Sequence, residues 1–188
     1  MLADCGGVLM SELDGHVREG TYGVVIGDFV KGYFLTELLG ALMRRYDNIP
    51  VLHIRGSLKV IEQRMMYELC QQSDAFRLDD GQRVLLVTES IGSGRTMGKF
   101  SRVLQTLGMP FDIAVGTMEK DLGYYTCWGG PIPSAARVYC AGMDSGEFMK
   151  AIAMLSKGLY QNGDNISYAI TDYGRSQIPL LVNTIAYG

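Results

Sequence analysis

The residues best suited to chemistry lie in one stretch, residues 83–97, RVLLVTESIGSGRTM. An apolar run leads into Thr88 and Glu89, and a small-residue segment follows. Gly92 and Gly94 allow a tight turn and a close approach of the backbone to a ligand. A helix beginning near Ser93–Thr96 leaves N–H groups pointing outward, and these attract an anion. Ser93 and Thr96 add hydroxyl donors and Arg95 adds positive charge, so a phosphate is the natural guest. The candidate phosphate-binding set is Ser90, Ile91, Gly92, Ser93, Gly94, Arg95 and Thr96. The pattern is not a Walker loop. The glycine required five residues before Gly94 falls on Glu89, and no Gly-Lys-Ser/Thr is present. The competing reading is an ordinary strand–helix turn with a capping serine.

Such a turn needs a sheet to carry it. Residues 22–27 (YGVVIG), 49–55 (IPVLHIR), 83–89, 111–118 (FDIAVGTM), 137–143 (RVYCAGM) and 165–170 (NISYAI) read as strands. Strand 83–89 is continuously apolar at its start, which predicts burial on both faces. Between the strands run helical stripes: Leu35, Leu38, Leu39 and Leu42; Met97, Phe100, Leu104 and Leu107, stopping at Gly108; and Phe148, Ile152, Leu155 and Leu159. Strands alternating with helices predict one α/β domain over residues 1–188, with a mainly parallel sheet and helices on both faces. In such a sheet ligands sit beyond the carboxyl ends of the strands, where Thr88–Thr96 falls.

Composition narrows the function classes. The chain has 188 residues, 47% of them hydrophobic, enough for one core. Its net charge is −3 and no long basic run is present, so nucleic acid is not an expected partner. No apolar run suits a membrane span, and no basic-then-apolar leader opens the chain, so a cytoplasmic protein is expected. Cys5, Cys70, Cys127 and Cys140 are scattered, without a C-x-x-C pair, and read as reduced thiols. His16 and His53 are the only histidines, so a His-rich zinc site is not suggested.

The stretch 83–97 resembles the ribose-5-phosphate loop of the type I phosphoribosyltransferases. In that family a buried strand ends in two acids that bind the ribose hydroxyls of phosphoribosyl pyrophosphate. A Thr/Ser-Gly-x-Thr loop then binds its 5-phosphate. SGRT supplies the loop here, Glu89 the second acid, and Thr88 stands where the first would be. The resemblance implies Glu89 and Thr88 as catalytic residues. Other segments are similar, in order, to the hypoxanthine-guanine phosphoribosyltransferases. VVIGDFVKGYFLTELL resembles the pyrophosphate loop, which implies pyrophosphate contacts from Lys31 and Gly32. IPVLHIRGSLKV resembles the start of the flexible catalytic loop, with Arg55 near pyrophosphate. FDIAVGTMEKD implies base recognition by Lys120. ISYAITDYGRSQIP implies Mg²⁺ held with Asp172 and pyrophosphate approached by Arg175. Gly92 stands where the 6-oxopurine enzymes carry a proton-transferring aspartate. The resemblance also implies a small hood near the C-terminus; a homo-oligomer is expected because symmetric dimers are the commonest assembly.

Two functions follow as expectations. One is an enzyme using Mg²⁺ to transfer ribose-5-phosphate from phosphoribosyl pyrophosphate to a nucleobase or similar nitrogen acceptor. The other is a non-catalytic sensor of phosphoribosyl pyrophosphate or nucleotide. Tyr124, Tyr125 and Trp128 could stack on a base or pack a subdomain or dimer face. In residues 56–80, Leu58, Ile61, Met65 and Leu69 form an apolar stripe, which predicts a partly helical, packed segment in place of a solvated flap.

Overall fold

The computed structural model describes residues 1–28, 33–54, 60–71, 78–127, 130–161 and 165–187. The expected contacts Lys31, Gly32 and Arg55 lie outside the described residues, as do Leu58 and Trp128. The chain runs α1 (Leu2–Arg18), β1 (Tyr22–Asp28), α2 (Tyr33–Met43), β2 (Val51–Ile54), α3 (Ile61–Gln71), β3 (Arg83–Ile91), α4 (Arg95–Thr106), β4 (Phe111–Met118), α5 (Leu122–Thr126), β5 (Val138–Cys140), α6 (Ser145–Leu155), β6 (Ser156–Gln161), β7 (Asn165–Ile170) and α7 (Asp172–Tyr187). Five strands form a parallel sheet in the order β2-β1-β3-β4-β5, and β6 and β7 form a separate antiparallel hairpin.

Side-chain alternation along the strands builds a core on each face of the sheet. Val25, Leu85, Val87 and Ala114 pack with α1, α2 and α6. Val24, Ile26, Val84, Leu86, Ile113 and Val115 pack with α3 and α4. On α3, Ile61, Met65 and Leu69 are buried, so the expected packed helix is present across Ile61–Gln71. Gly108, with φ +66°, follows α4 and ends its stripe as expected.

One expectation needs correction. Leu159 does not continue the α6 stripe. That helix ends at Leu155, and residues 156–161 pair with Asn165–Ile170 as β6. Gly158 weakens a helix there, and the hairpin satisfies the backbone groups instead. The expected strand at 165–170 is present as β7 and, among the described residues, pairs with β6 in the separate hairpin. Helices α1 and α7 were not anticipated. Three glycines in α1 and Pro179 in α7 lower their apparent helix propensity. Tertiary packing overrides it: a Cβ on Gly6 would come within 2.6 Å of Ile185 Cδ1, so the glycine permits close approach of the two helices.

The strand order places the site. β1 leads to α2 on one face, and β3 leads to α4 on the other. Neighbouring strands whose connections diverge open a crevice at their carboxyl ends, where ligands bind in open α/β sheets.

Candidate functional site

β3 runs two residues further than its sequence pattern suggests. Ser90 and Ile91 are in strand register with Thr117 and Met118 of β4. The turn itself is therefore Gly92, Ser93 and Gly94, and α4 starts at Arg95. Gly94 is the N-cap, with φ +74°, a left-handed conformation that suits glycine. No side chain caps the helix there. Ser93 and Arg95 are exposed and Thr96 is half-buried. Thr88 and residues 90–97 line a cavity of about 80 Å³ beside the turn. All seven candidate phosphate-binding residues thus share one small cavity with Thr88.

Glu89 lies elsewhere. Successive strand residues point to opposite faces, and Glu89 faces the start of α2. It is 4% exposed, and its Oε1 accepts a hydrogen bond from the backbone N–H of Phe34 at 3.1 Å. A buried carboxylate at a helix N-terminus is stabilised by the unsatisfied N–H groups and the helix dipole. Thr88 is 1% exposed, and its hydroxyl makes a long 3.4 Å contact to the Ser90 carbonyl.

The turn is held from outside by residues beyond β4. The buried Tyr125 hydroxyl lies 2.6 Å from the Gly92 carbonyl oxygen and 2.9 Å from that of Ile91, so its single proton is shared between the two acceptors. A Cβ at Gly94 would meet the Pro131 ring at 2.5 Å and Tyr125 at 3.2 Å. Tyr125 therefore packs and positions; its neighbour Tyr124 is exposed. Glu119, at the end of β4, donates its backbone N–H to the Ile91 carbonyl at 3.0 Å. Its carboxylate lies over Gly92: a Cβ there would come within 2.9 Å of Oε1. Neither Glu119 nor Pro131 stood out in the sequence. A glycine followed about thirty residues later by an acid or a proline carries no spacing pattern.

The remaining described candidates are Lys120, Asp172 and Arg175. Lys120 is exposed, with Nζ 3.8 Å from the Tyr124 ring centroid. Asp172 and Arg175 are exposed in the first turn of α7, which packs on α1, α2 and α6. Arg175 contributes to holding the Glu37 carboxyl below the usual carboxylate range. The larger cause there is His53, whose Nε2–H donates to Glu37 at 2.7 Å. The Tyr33 ring stacks on His53 with centroids 4.2 Å apart, tying the start of α2 to β2.

Among the described residues no three His, Cys, Asp or Glu side chains converge as a metal cage. All four cysteines are free thiols. Burial pushes the Cys5 thiol up to about 12, so it is inert near neutral pH. Among the described residues no helix is long and apolar enough to cross a membrane. Compared with known proteins, the chain matches no protein-family model and no curated protein sequence at a significant level.

Proposed function

We propose that the chain is a phosphoribosyltransferase-like enzyme that binds the 5-phosphate of phosphoribosyl pyrophosphate on the Gly92–Gly94 turn and transfers ribose-5-phosphate to a nitrogen of a nucleobase-like acceptor. The observation that carries this reading is the Gly94 turn. A left-handed glycine opens an uncapped twelve-residue helix beside a cavity of about 80 Å³. Free N–H groups at a helix N-terminus favour a phosphate. The turn also lies where a parallel sheet divides its connections.

In the transfer, the bond from the anomeric carbon to the pyrophosphate oxygen breaks, and its electron pair leaves with pyrophosphate. The acceptor nitrogen bonds to that carbon and releases a proton. Glu119, whose carboxylate lies beside Gly92, is the proposed proton acceptor. Such assistance contributes about 10²–10⁴ in rate. Glu89 provides negative charge near the developing positive ribose, and Lys120 contacts the acceptor. Lys31, Gly32, Arg55 and Arg175 are the proposed pyrophosphate contacts. Asp172 is an exposed carboxylate, which suits Mg²⁺ held mainly by ligand phosphates. When bound, the ion would supply charge neutralisation at pyrophosphate. The β6–β7 hairpin is the proposed hood, and exposed Leu180 and Tyr187 on α7 support association between copies.

The burial of both Thr88 and Glu89 favours a second reading: a phosphoribosyl pyrophosphate or nucleotide sensor without turnover. The deciding experiment mixes the protein with phosphoribosyl pyrophosphate, Mg²⁺ and a panel of bases. Base-dependent release of pyrophosphate supports the enzyme. Saturable binding without release supports the sensor, and absence of binding rejects both.

A further inference from the structure

A second and larger cavity, about 420 Å³, lies along the outer side of α4. Its volume falls in the range of small-molecule sites, roughly 300–1,000 Å³. Its walls have two chemistries. α4 contributes Arg95, Lys99 and Arg102, spaced i, i+4 and i+7 and so aligned on one helix face. Pro131 and Pro133 add apolar rings to the wall. Ser101, also in the wall, is 2% exposed, and among the described residues its hydroxyl oxygen has no hydrogen-bond partner. Buried polar groups are ordinarily satisfied, so this hydroxyl is a donor in want of an acceptor.

The positive stripe has one carboxylate against it from α3. Glu62 of α3 reaches across to Lys99 at 3.2 Å and to Arg102 at 2.9 Å. One carboxylate thus serves two cations, and Arg95 adds a third charge. Both cations hold the Glu62 carboxyl below the usual carboxylate range, Arg102 most strongly. A ligand matching these walls carries an anionic group at one end and a flat, weakly polar body at the other.

We propose that this cavity is a second ligand site that binds a mononucleotide. The phosphate lies on the Arg95–Lys99–Arg102 stripe and the base lies against Pro131 and Pro133. Glu62 is its internal competitor. Arg95 lines both this cavity and the small cavity of the turn, so occupancy of one biases the other. The site does not depend on phosphoribosyl transfer at the turn.

The test is a titration of the full chain, followed by amide NMR, with AMP, UMP and inorganic phosphate. Lys99→Gln, Arg102→Glu and Glu62→Gln are compared with the wild type. Both mononucleotides or one of them should shift amides in 98–105 and those of Ile132, Ser134, Ala135 and Ala136, whereas phosphate alone should shift only 92–96. Arg102→Glu should weaken nucleotide binding at least tenfold, and Lys99→Gln at least threefold. Glu62→Gln should strengthen it at least threefold, because it removes the carboxylate charge that Arg102 and Lys99 share. A variant that merely loosened the fold would not bind more tightly. Nucleotide shifts confined to 92–96, affinity unchanged in Arg102→Glu, or weaker binding in Glu62→Gln would each overturn the proposal. Phosphoribosyl pyrophosphate binding at the turn should survive Arg102→Glu, so failure here and failure of the transferase reading are separately visible.

Discussion

The Tyr125 hydroxyl lies 2.6 Å from the Gly92 carbonyl oxygen and 2.9 Å from that of Ile91. One hydroxyl thus fixes the last strand residue of β3 and the first residue of the turn. With the peptide planes held, the N–H groups that follow are aimed before any ligand arrives. Preorganised donors gain more from an anion than mobile ones do.

Tyr125→Phe tests that clamp. The ring still fills its site, so packing is kept. Loss of the hydroxyl should cost about 1 kcal/mol of stability. Affinity of the turn for inorganic phosphate should fall, with faster amide exchange at 92–96. Unchanged phosphate affinity alongside a lowered melting temperature would make Tyr125 purely structural.

Gly94→Ala probes the turn itself. The backbone has φ +74°, and a side chain there would press on the Pro131 ring at 2.5 Å. A non-glycine residue held in that region costs about 1–3 kcal/mol. Denaturant unfolding should show a loss of that size. Gly92→Ala should cost less, since the crowding atom is the tip of the flexible Glu119. Equal losses at the two positions would contradict the geometry.

Much of this was legible in the chain, and the parts that were not share a cause. Strands β1, β3 and β4 stand out because they are buried on both faces and read as apolar runs. The turn stands out because its glycines and hydroxyls are contiguous. By contrast, Tyr125, Glu119 and Pro131 reach the turn only through the return of the chain after β4, a long-range relation that local spacing does not encode. The side to which Glu89 points depends on strand alternation carried one residue past its apolar run. Helix α1 was hidden by Gly6, whose missing side chain matters only because Ile185 of α7 packs against it.

Glu89→Gln separates architecture from ligand binding. The carboxylate accepts from Phe34 N–H at the start of α2, and a hydrogen bond to a charged group contributes about 1.5–3 kcal/mol. The amide retains an acceptor oxygen, so a loss near 1 kcal/mol is expected. Calorimetry should also show weaker phosphoribosyl pyrophosphate binding. Reduced stability with unchanged affinity would confine Glu89 to holding α2 and remove it from the site.

Asp112 lies at the opposite edge of the sheet, and its loss should spare the turn. The carboxylate is fully buried and accepts from Arg83 Nε and Nη2, each at 2.8 Å, from the Tyr22 hydroxyl at 3.1 Å and from the Arg137 N–H at 3.0 Å. Burial, followed by the Tyr139 hydroxyl, pushes the Tyr22 phenol well above its usual range, so it remains a donor. Asp112→Ala strands these groups, and breaking a buried pair costs about 3–5 kcal/mol. The lower end is expected, because Arg83 is partly exposed. A melt should record the loss, while phosphate affinity measured well below the melting temperature should not change.

The Glu37–His53 pair should leave a signature in acid. The Glu37 carboxyl is held below its ordinary value, first by the hydrogen bond from His53 and then by the charges of His53, Arg44 and Arg175, against an opposing effect of burial. A carboxylate depressed in the folded state binds protons more weakly there than in the unfolded chain, where its value is about 4.3. Its stabilisation is therefore complete above that value and disappears as pH falls through the lower, folded one. Glu37→Gln removes the titration. The stability gap between wild type and Glu37→Gln should be constant from about pH 6 to 5 and should shrink below about pH 4. Chemical denaturation at half-unit steps from pH 6 to 3 measures it. A gap that stays constant, or that widens towards acid, would show that the pair does not hold α2 against β2 in the way its 2.7 Å contact implies.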